Sequence, residues 1–307
     1  MHAFPVPGAC IEHSRWAESA GFDGILLADS QNLVGDPFVE LGVLSRATTR
    51  LGLGTGVINP VTRHPAVVAA AAATVQRESG GRAVLGVGRG DSALVQLGLP
   101  RATTAVLVQF IRDVRRYLHG EIDWIAKGSV PPPPIELAAS GPRTIGQAAT
   151  LADRVMLTVG ADPERIAGAI ETARRAREDA GLDAHELRVG AYLNVACDDD
   201  LATACQLVRG SAAIFAHFSS TFGHSYDESR HGLSSAEQAR SLSVSFLQRF
   251  AVVGPAGSCA SRLTELIDLG LDRVVVVPGS RDSDPELLAR TNTAFAELVL
   301  PHLRQVD

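Results

Sequence analysis

Residues 54–65 read GTGVINPVTRHP, placing Asn59, Arg63 and His64 just after a run of small residues and just before an alanine-rich stretch. An amide, a guanidinium and an imidazole so close together can hold a polar ligand, pair an anion or move a proton. Three further segments carry comparable chemistry. In ASGPRT, Pro142 suits the first position of a helix, which leaves the Ser140 hydroxyl and the amides around Gly141 to face an anion such as a phosphate. The same residues equally describe a serine-capped helix that binds nothing. VGADP repeats the arrangement with Gly160 ahead of Asp162 and Pro163. In GVGRGDSA, Gly88 and Gly90 permit close backbone approach to a planar ligand, while Asp91 reads either as part of that loop or as the N-cap of the next helix.

The elements that would position these residues are short apolar runs alternating with amphipathic or alanine-rich stretches. Strands are predicted at 24–28, 50–57, 82–88, 134–140, 154–160, 188–196 and 273–279. Most are continuously apolar, the mark of parallel strands covered on both faces. Asp162-Pro163 opens a helical pattern of Ile166, Ala169, Ile170 and Ala173. Seven strands with room for a short eighth at MHAF predict an α/β fold, a (β/α)8 barrel, in which chemistry sits on the loops after the strand C-termini. Those loops are ADSQNLVGDP and the four segments above. Only Met1–Phe4 precede the turn Pro5-Val6-Pro7-Gly8, so the first strand is stunted or the native start lies upstream. A single domain over 1–307 is expected, with a helical and loop insertion at about 197–250 forming part of a lid.

Nearly half of the 307 residues are apolar and the formal net charge is -6, which fits a globular protein and argues against nucleic acid as a partner. No apolar run approaches the ~20 residues of a membrane span, and the N-terminus lacks a secretory signal pattern, so a cytoplasmic location is expected. Four scattered cysteines without metal spacing read as reduced. His217, His224 and His231 lie in the insertion and read as a solvated segment; no metal is expected.

The segments AESAGFDGILLADS, TTRLGLGTGVINPVTRHP through GVGRGDSALVQLG, PIELAASGPRTIGQAATLADRVMLTVGADP and RFAVVGPAGSCASRLTELIDLGLDRVVVVPG together resemble the bacterial luciferase-like superfamily of flavin- or deazaflavin-dependent oxidoreductases. INPVTRHP and GRGDSA resemble the branch that includes methylenetetrahydromethanopterin reductases, which use coenzyme F420. The resemblance implies a barrel with the coenzyme ring at the C-terminal mouth and its phosphate near strand five. It also implies a non-prolyl cis peptide at Gly56-Val57 that supports the ring, with Asn59 and Pro60 turning the loop away. The small size of Gly54, Thr55 and Gly56 is explained by that bulge or, alternatively, by an ordinary trans strand end with glycine for helix packing.

Superfamily dehydrogenases that oxidise alcohols or sugar phosphates carry Asp-His after strand two, with the histidine as base. Here the pair is Asp29-Ser30, followed by Gln31. Abstraction of a hydroxyl proton is therefore poorly provided for, and the expectation is reduction of a C=N or C=C bond of a small organic substrate, with Ser30, Gln31 or water giving the proton. His64 is an alternative acid or a helix cap, and Arg63 is expected to anchor the loop. Three classes stay open: an F420-dependent reductase, a flavin mononucleotide (FMN) monooxygenase supplied by a partner flavin reductase, and a non-catalytic flavin-binding barrel. A homodimer is expected.

Overall fold

The computed structural model describes residues 1–31, 33–120, 130–218, 241–280 and 282–304. Its strands are β1 (His2–Ala3), β2 (Gly24–Leu27), β3 (Gly52–Thr55), β4 (Ala83–Val87), β5 (Ile135–Ala139), β6 (Arg154–Leu157), β7 (Val189–Cys197), β8 (Val252–Gly254) and β9 (Arg273–Val277). Among the helices are α1 (Cys10–Ser19), α2 (Pro37–Ala47), α3 (Pro65–Glu78), α4 (Ser92–Gln96), α5 (Thr104–Leu118), α6 (Pro142–Leu151), α7 (Pro163–Asp179), α8 (Leu201–Phe218), α9 (Val244–Phe250), α10 (Ala256–Asp268) and α11 (Pro285–Ala294). β1 to β8 follow one another in sheet order, β9 pairs with β7, and helices alternate with the strands, which is the predicted (β/α)8 barrel class. All seven predicted strands and the short one near the start are present. β8 is additional: a three-residue strand that no periodicity could announce.

The chain divides into two compact units. Unit 1 comprises Met1–Ala138 and Gln147–Val155. In it β1, β2, β3, β4 and β5 pair in parallel, with Leu27 opposite Thr55 and Val87 opposite Leu137. Its core includes Ile25, Leu27, Leu41, Leu44, Leu51 and Leu53, with Trp16, Phe22 and Phe38 packed against it. The helix starts follow local capping rules: Asp36 accepts the Phe38 and Val39 amides ahead of Pro37, and Thr103 caps α5.

Unit 2 comprises Ala139–Gly146 and Met156–Asp307. Here β7 runs between β8 and β9, in parallel with both, and all nine of its residues are buried. The predicted insertion is partly described. α8 and α9 bury Ala204, Val208, Ala212, Leu247 and Phe250 in one apolar cluster with Ala196 and Ala251. Residues 219–240, the middle of the predicted lid, lie outside the described residues, and with them His224 and His231. No described helix is long and apolar enough to cross a membrane, and among the described residues there is no metal-ligating group of three or more His, Cys, Asp or Glu. The four cysteines are free and buried.

Candidate active site

In unit 1 the glycine-spaced residues at the end of β3 are set by contact with both neighbouring strands. A Cβ on Gly54 would lie 2.6 Å from Leu26 Cδ2 and 2.7 Å from the Val84 carbonyl oxygen. The Gly56-Val57 peptide is cis. The Gly56 amide donates to the Leu27 carbonyl (2.7 Å), the Thr55 hydroxyl to the Gly86 carbonyl (2.8 Å), the Ile58 amide to the same carbonyl (3.0 Å) and the Gly88 amide to the Ile58 carbonyl (2.8 Å). The resulting bulge sits directly on the β4 glycines. A Cβ on Gly86 would come within 2.0 Å of the Thr55 oxygen, and one on Gly88 within 2.7 Å of Val57 Cγ2. Gly90 has φ +78° and would meet Asn59 Cβ at 2.7 Å. The cis bond excludes the ordinary trans strand end; Gly54 is in addition held small by its strand neighbours, and Gly88 and Gly90 are required by the bulge itself.

Two side chains fix this bulge and its loop, one from far away in sequence and one from within the loop. The His2 ring nitrogen Nε2 lies 2.9 Å from the Gly56 carbonyl; because that oxygen only accepts, Nε2 carries the proton. Burial drives the imidazole pKa down to about 4, against the Gly56 hydrogen bond, which favours the charged form, and with the N-terminal charge adding to the decrease. Asn59, 1% exposed, turns the loop by accepting the Val61 and Thr62 amides at 3.0 and 3.1 Å.

The loop after β2 is tied to the same region. Arg63 forks onto Asp29, with Nε–Oδ2 and Nη2–Oδ1 both 2.7 Å, and its Nη2 also reaches Asp36 Oδ2 at 2.8 Å. Its guanidinium carbon lies 5.2 Å from the centre of the Phe38 ring. Arg63 is thus the anchor expected from its position. Burial pushes the Asp36 carboxyl up, but the Arg63 hydrogen bond and charge and the Phe38 and Val39 amides outweigh it and leave the pKa below the usual value. The Gln31 amide nitrogen donates to Asp29 Oδ1 at 2.8 Å. Ser30 sits between these two side chains in sequence, and its carbonyl accepts the Leu33 and Val34 amides. Three buried polar atoms of this region have no hydrogen-bond partner among the described residues: Gln31 Oε1, Asn59 Nδ2 and Thr62 Oγ1. His64 is exposed and caps α3, its Nδ1 accepting the Ala66 amide at 3.2 Å. Asp91 stands at the start of α4 without a side-chain cap and lies 3.6 Å from Arg101.

In unit 2 the two predicted anion sites differ. At the start of α6, the Gly141 carbonyl accepts the Ile145 amide, and a Cβ on Gly141 would meet nothing within 4 Å. Ser140 precedes it and Pro142 takes the first helical position, as predicted. At the start of α7, Asp162 already accepts the Glu164 and Arg165 amides and pairs with Arg249 at 2.6 Å. Gly160, with φ +82°, has its own packing reason, because a Cβ there would press within 2.5 Å of the Phe250 ring. A cleft of about 400 Å³ includes Arg174, His185, Val189 and Gly270. It lies at the N-terminal ends of β7 and β9, the wrong ends for barrel chemistry.

Unit 1 thus gathers Gly56, Val57, Asn59, Gly88 and Gly90 in one packed cluster, and links Gln31 through Asp29 to the Arg63 loop. Sequence reasoning missed His2, Asp36 and Phe38 as its supports. The pairing of an aspartate with an arginine across two loops was the one available signal.

Comparison with known proteins gives the family and agrees with the fold. A family model described as luciferase-like monooxygenase matches residues 3–273. The chain is similar to a 5,10-methylenetetrahydromethanopterin reductase of Methanolobus tindarius, 28% identical over 295 residues that cover 86% of this chain and 88% of the relative. It is similar to an F420-dependent glucose-6-phosphate dehydrogenase of Nakamurella multipartita, 30% identical over 224 residues, 64% of this chain and 66% of that one. Among solved structures, the coenzyme F420-dependent tetrahydromethanopterin reductase of Methanopyrus kandleri superposes with a TM-score of 0.77 at 22% identity, covering 98% of both chains.

Proposed function

This chain belongs to the luciferase-like monooxygenase family, and within it we propose a reductase that uses reduced coenzyme F420 to deliver hydride to a C=N or C=C bond of a small organic substrate. The observation that carries the proposal is the state of Asp29. Both of its oxygens are engaged by Arg63, one also by Gln31, and the next residue is Ser30 rather than an imidazole. Taking a proton from an alcohol would break that fork, so oxidation lacks a base after β2, whereas reduction does not need one. Similarity to F420-dependent relatives supports the choice of coenzyme.

The residues present suit such a group. The bulge at Gly56-Val57 is held from behind by β4 and from the side by His2, giving a rigid backing for a planar ring. Asn59 Nδ2 and Thr62 Oγ1 remain as buried polar atoms able to meet ring carbonyls. Taken within unit 2 alone, the helix start at Ser140, Gly141 and Pro142 suits an anion such as a phosphate, and the filled start at Asp162 makes Gly160 a lesser contributor. When bound, the coenzyme supplies the hydride. Ser30 or a water then delivers the proton that a C=C substrate requires. His64, held as a helix cap, takes no part.

The exposed valines Val39 and Val43 on α2 and Val67 on α3, helices that pack side by side, support a homodimer as the working form. The family description favours one competing reading, an FMN monooxygenase fed by a separate flavin reductase. Titration of the protein with F420 and with FMN separates the two. F420 is expected to bind and to turn over with an acceptor; tight FMN binding that F420 does not displace would reject the proposal. Coenzyme binding without turnover on any acceptor would favour the non-catalytic barrel.

A further inference from the structure

We infer that Gln31 is a specificity residue whose side-chain oxygen accepts a hydrogen bond from the N–H of a protonated imine, so that the substrate class is a cationic iminium bearing N–H rather than an alkene. The inference rests on the proposed F420-dependent reduction. Its starting point is the orientation of one amide. Asp29 is an ionised acceptor with no hydrogen to give, so the Gln31 nitrogen must face it, as the 2.8 Å contact has it. Asp29 is in turn fixed by the two bonds from Arg63. The Gln31 oxygen is therefore presented in one direction, buried and without a partner among the described residues. A buried acceptor left open beside a fully engaged Asp29 calls for a donor. An alkene or a ketone has none to offer; an iminium N–H does.

The charge of the cluster points the same way. Asp29 and Asp36 share the single guanidinium of Arg63, leaving one net negative charge around the Gln31 amide. That favours a cation over a neutral substrate. It also suits the reaction. Hydride adds to the iminium carbon as a new C–H bond while the C=N π pair becomes the amine lone pair, and reduced F420 is oxidised as its own C–H bond breaks. The nitrogen already carries its proton, so none has to be delivered. Gln31 touches substrate, whereas Asp29 and Arg63 act through it as positioning residues.

The test uses the full chain with reduced F420 and three acceptors: pyrroline at a pH where it is protonated, N-methylpyrrolinium, and cyclohexenone. One hydrogen bond to a charged group predicts that kcat/KM for pyrroline exceeds that for N-methylpyrrolinium by roughly tenfold to a hundredfold. Gln31→Leu should erase that preference, because its loss on pyrroline exceeds its loss on N-methylpyrrolinium by the same factor. A second readout needs no turnover: calorimetric binding of iminopyrrolidine, a stable N–H cation, to coenzyme-free protein should weaken at least tenfold in Gln31→Leu. Equal rates on both iminium substrates in the wild type, a preference that survives Gln31→Leu, or reduction of cyclohexenone alone would each overturn the inference while leaving F420-dependent reduction standing. Failure to bind F420 would overturn that function and the inference with it.

Discussion

The loop ends that follow β3 and β4 and the helix start that follows β5 use glycine for opposite reasons. Gly86, Gly88 and Gly90 are glycine because backbone or side-chain atoms of the bulge occupy the place of a Cβ. Gly141 is glycine with open space around it. The first case is packing, where substitution attacks the fold; the second leaves room for something that is not protein. The same contrast separates the two helix starts of unit 2, since Asp162 satisfies the amides of α7 from within the chain while the start of α6 has no such carboxylate ahead of Pro142.

The strongest way to break this comparison is to unpin the crowded end. Arg63→Met would leave Asp29, with a side chain 2% exposed, without its counter-charge. A buried charge stripped of its partner costs about 3–5 kcal/mol. Urea unfolding should show a lower midpoint at unchanged slope. A loss below about 1 kcal/mol would mean that the fork does not organise the site.

The next effect is one of pH. The folded-state pKa of His2 is about 4, below its ordinary 6.5. The unfolded chain therefore takes up the proton first, so the contribution is fully present above 6.5 and is lost as pH falls from 6.5 toward 4. A shift of that size corresponds to about 3 kcal/mol. His2→Gln should flatten the stability profile in this window, as read by thermal unfolding across pH; an unchanged slope would place the acid sensitivity in another group.

The finest test sets two glycines against each other. Gly86→Ala forces a methyl to within 2.0 Å of a backbone oxygen, and overpacking of this kind costs about 1–3 kcal/mol. Gly141→Ala should change stability by less than about 0.5 kcal/mol, while a bulkier Gly141→Val weakens F420 binding. If Gly141→Val leaves coenzyme affinity untouched, the open helix start is not the phosphate site, and the contrast between the two ends reduces to packing alone.

The predicted strands were legible because most are continuous apolar runs, and both the alternation with helices and the helix start at Asp162-Pro163 are written within a few consecutive residues. Ser30 in place of an imidazole was likewise visible as a departure. Resemblance to a family pointed to a cis bond at Gly56-Val57, but nothing local in the residues showed what would seat it. That depended on Gly86 and Gly88 lying on the neighbouring strand, and on His2, 54 positions away, reaching the Gly56 carbonyl. Asp29 and Arg63 stand 34 residues apart and become a fork only when their two loops emerge at the same end of adjacent parallel strands. Gly160 has a packing reason that the sequence did not show, because Phe250 lies where a Cβ would go. Local pattern determined which segments are strands and helices, because propensity and periodicity act over a few residues. Which polar group meets which was decided by strand register, because it depends on segments that the sequence keeps far apart and only the packed sheet brings to one end.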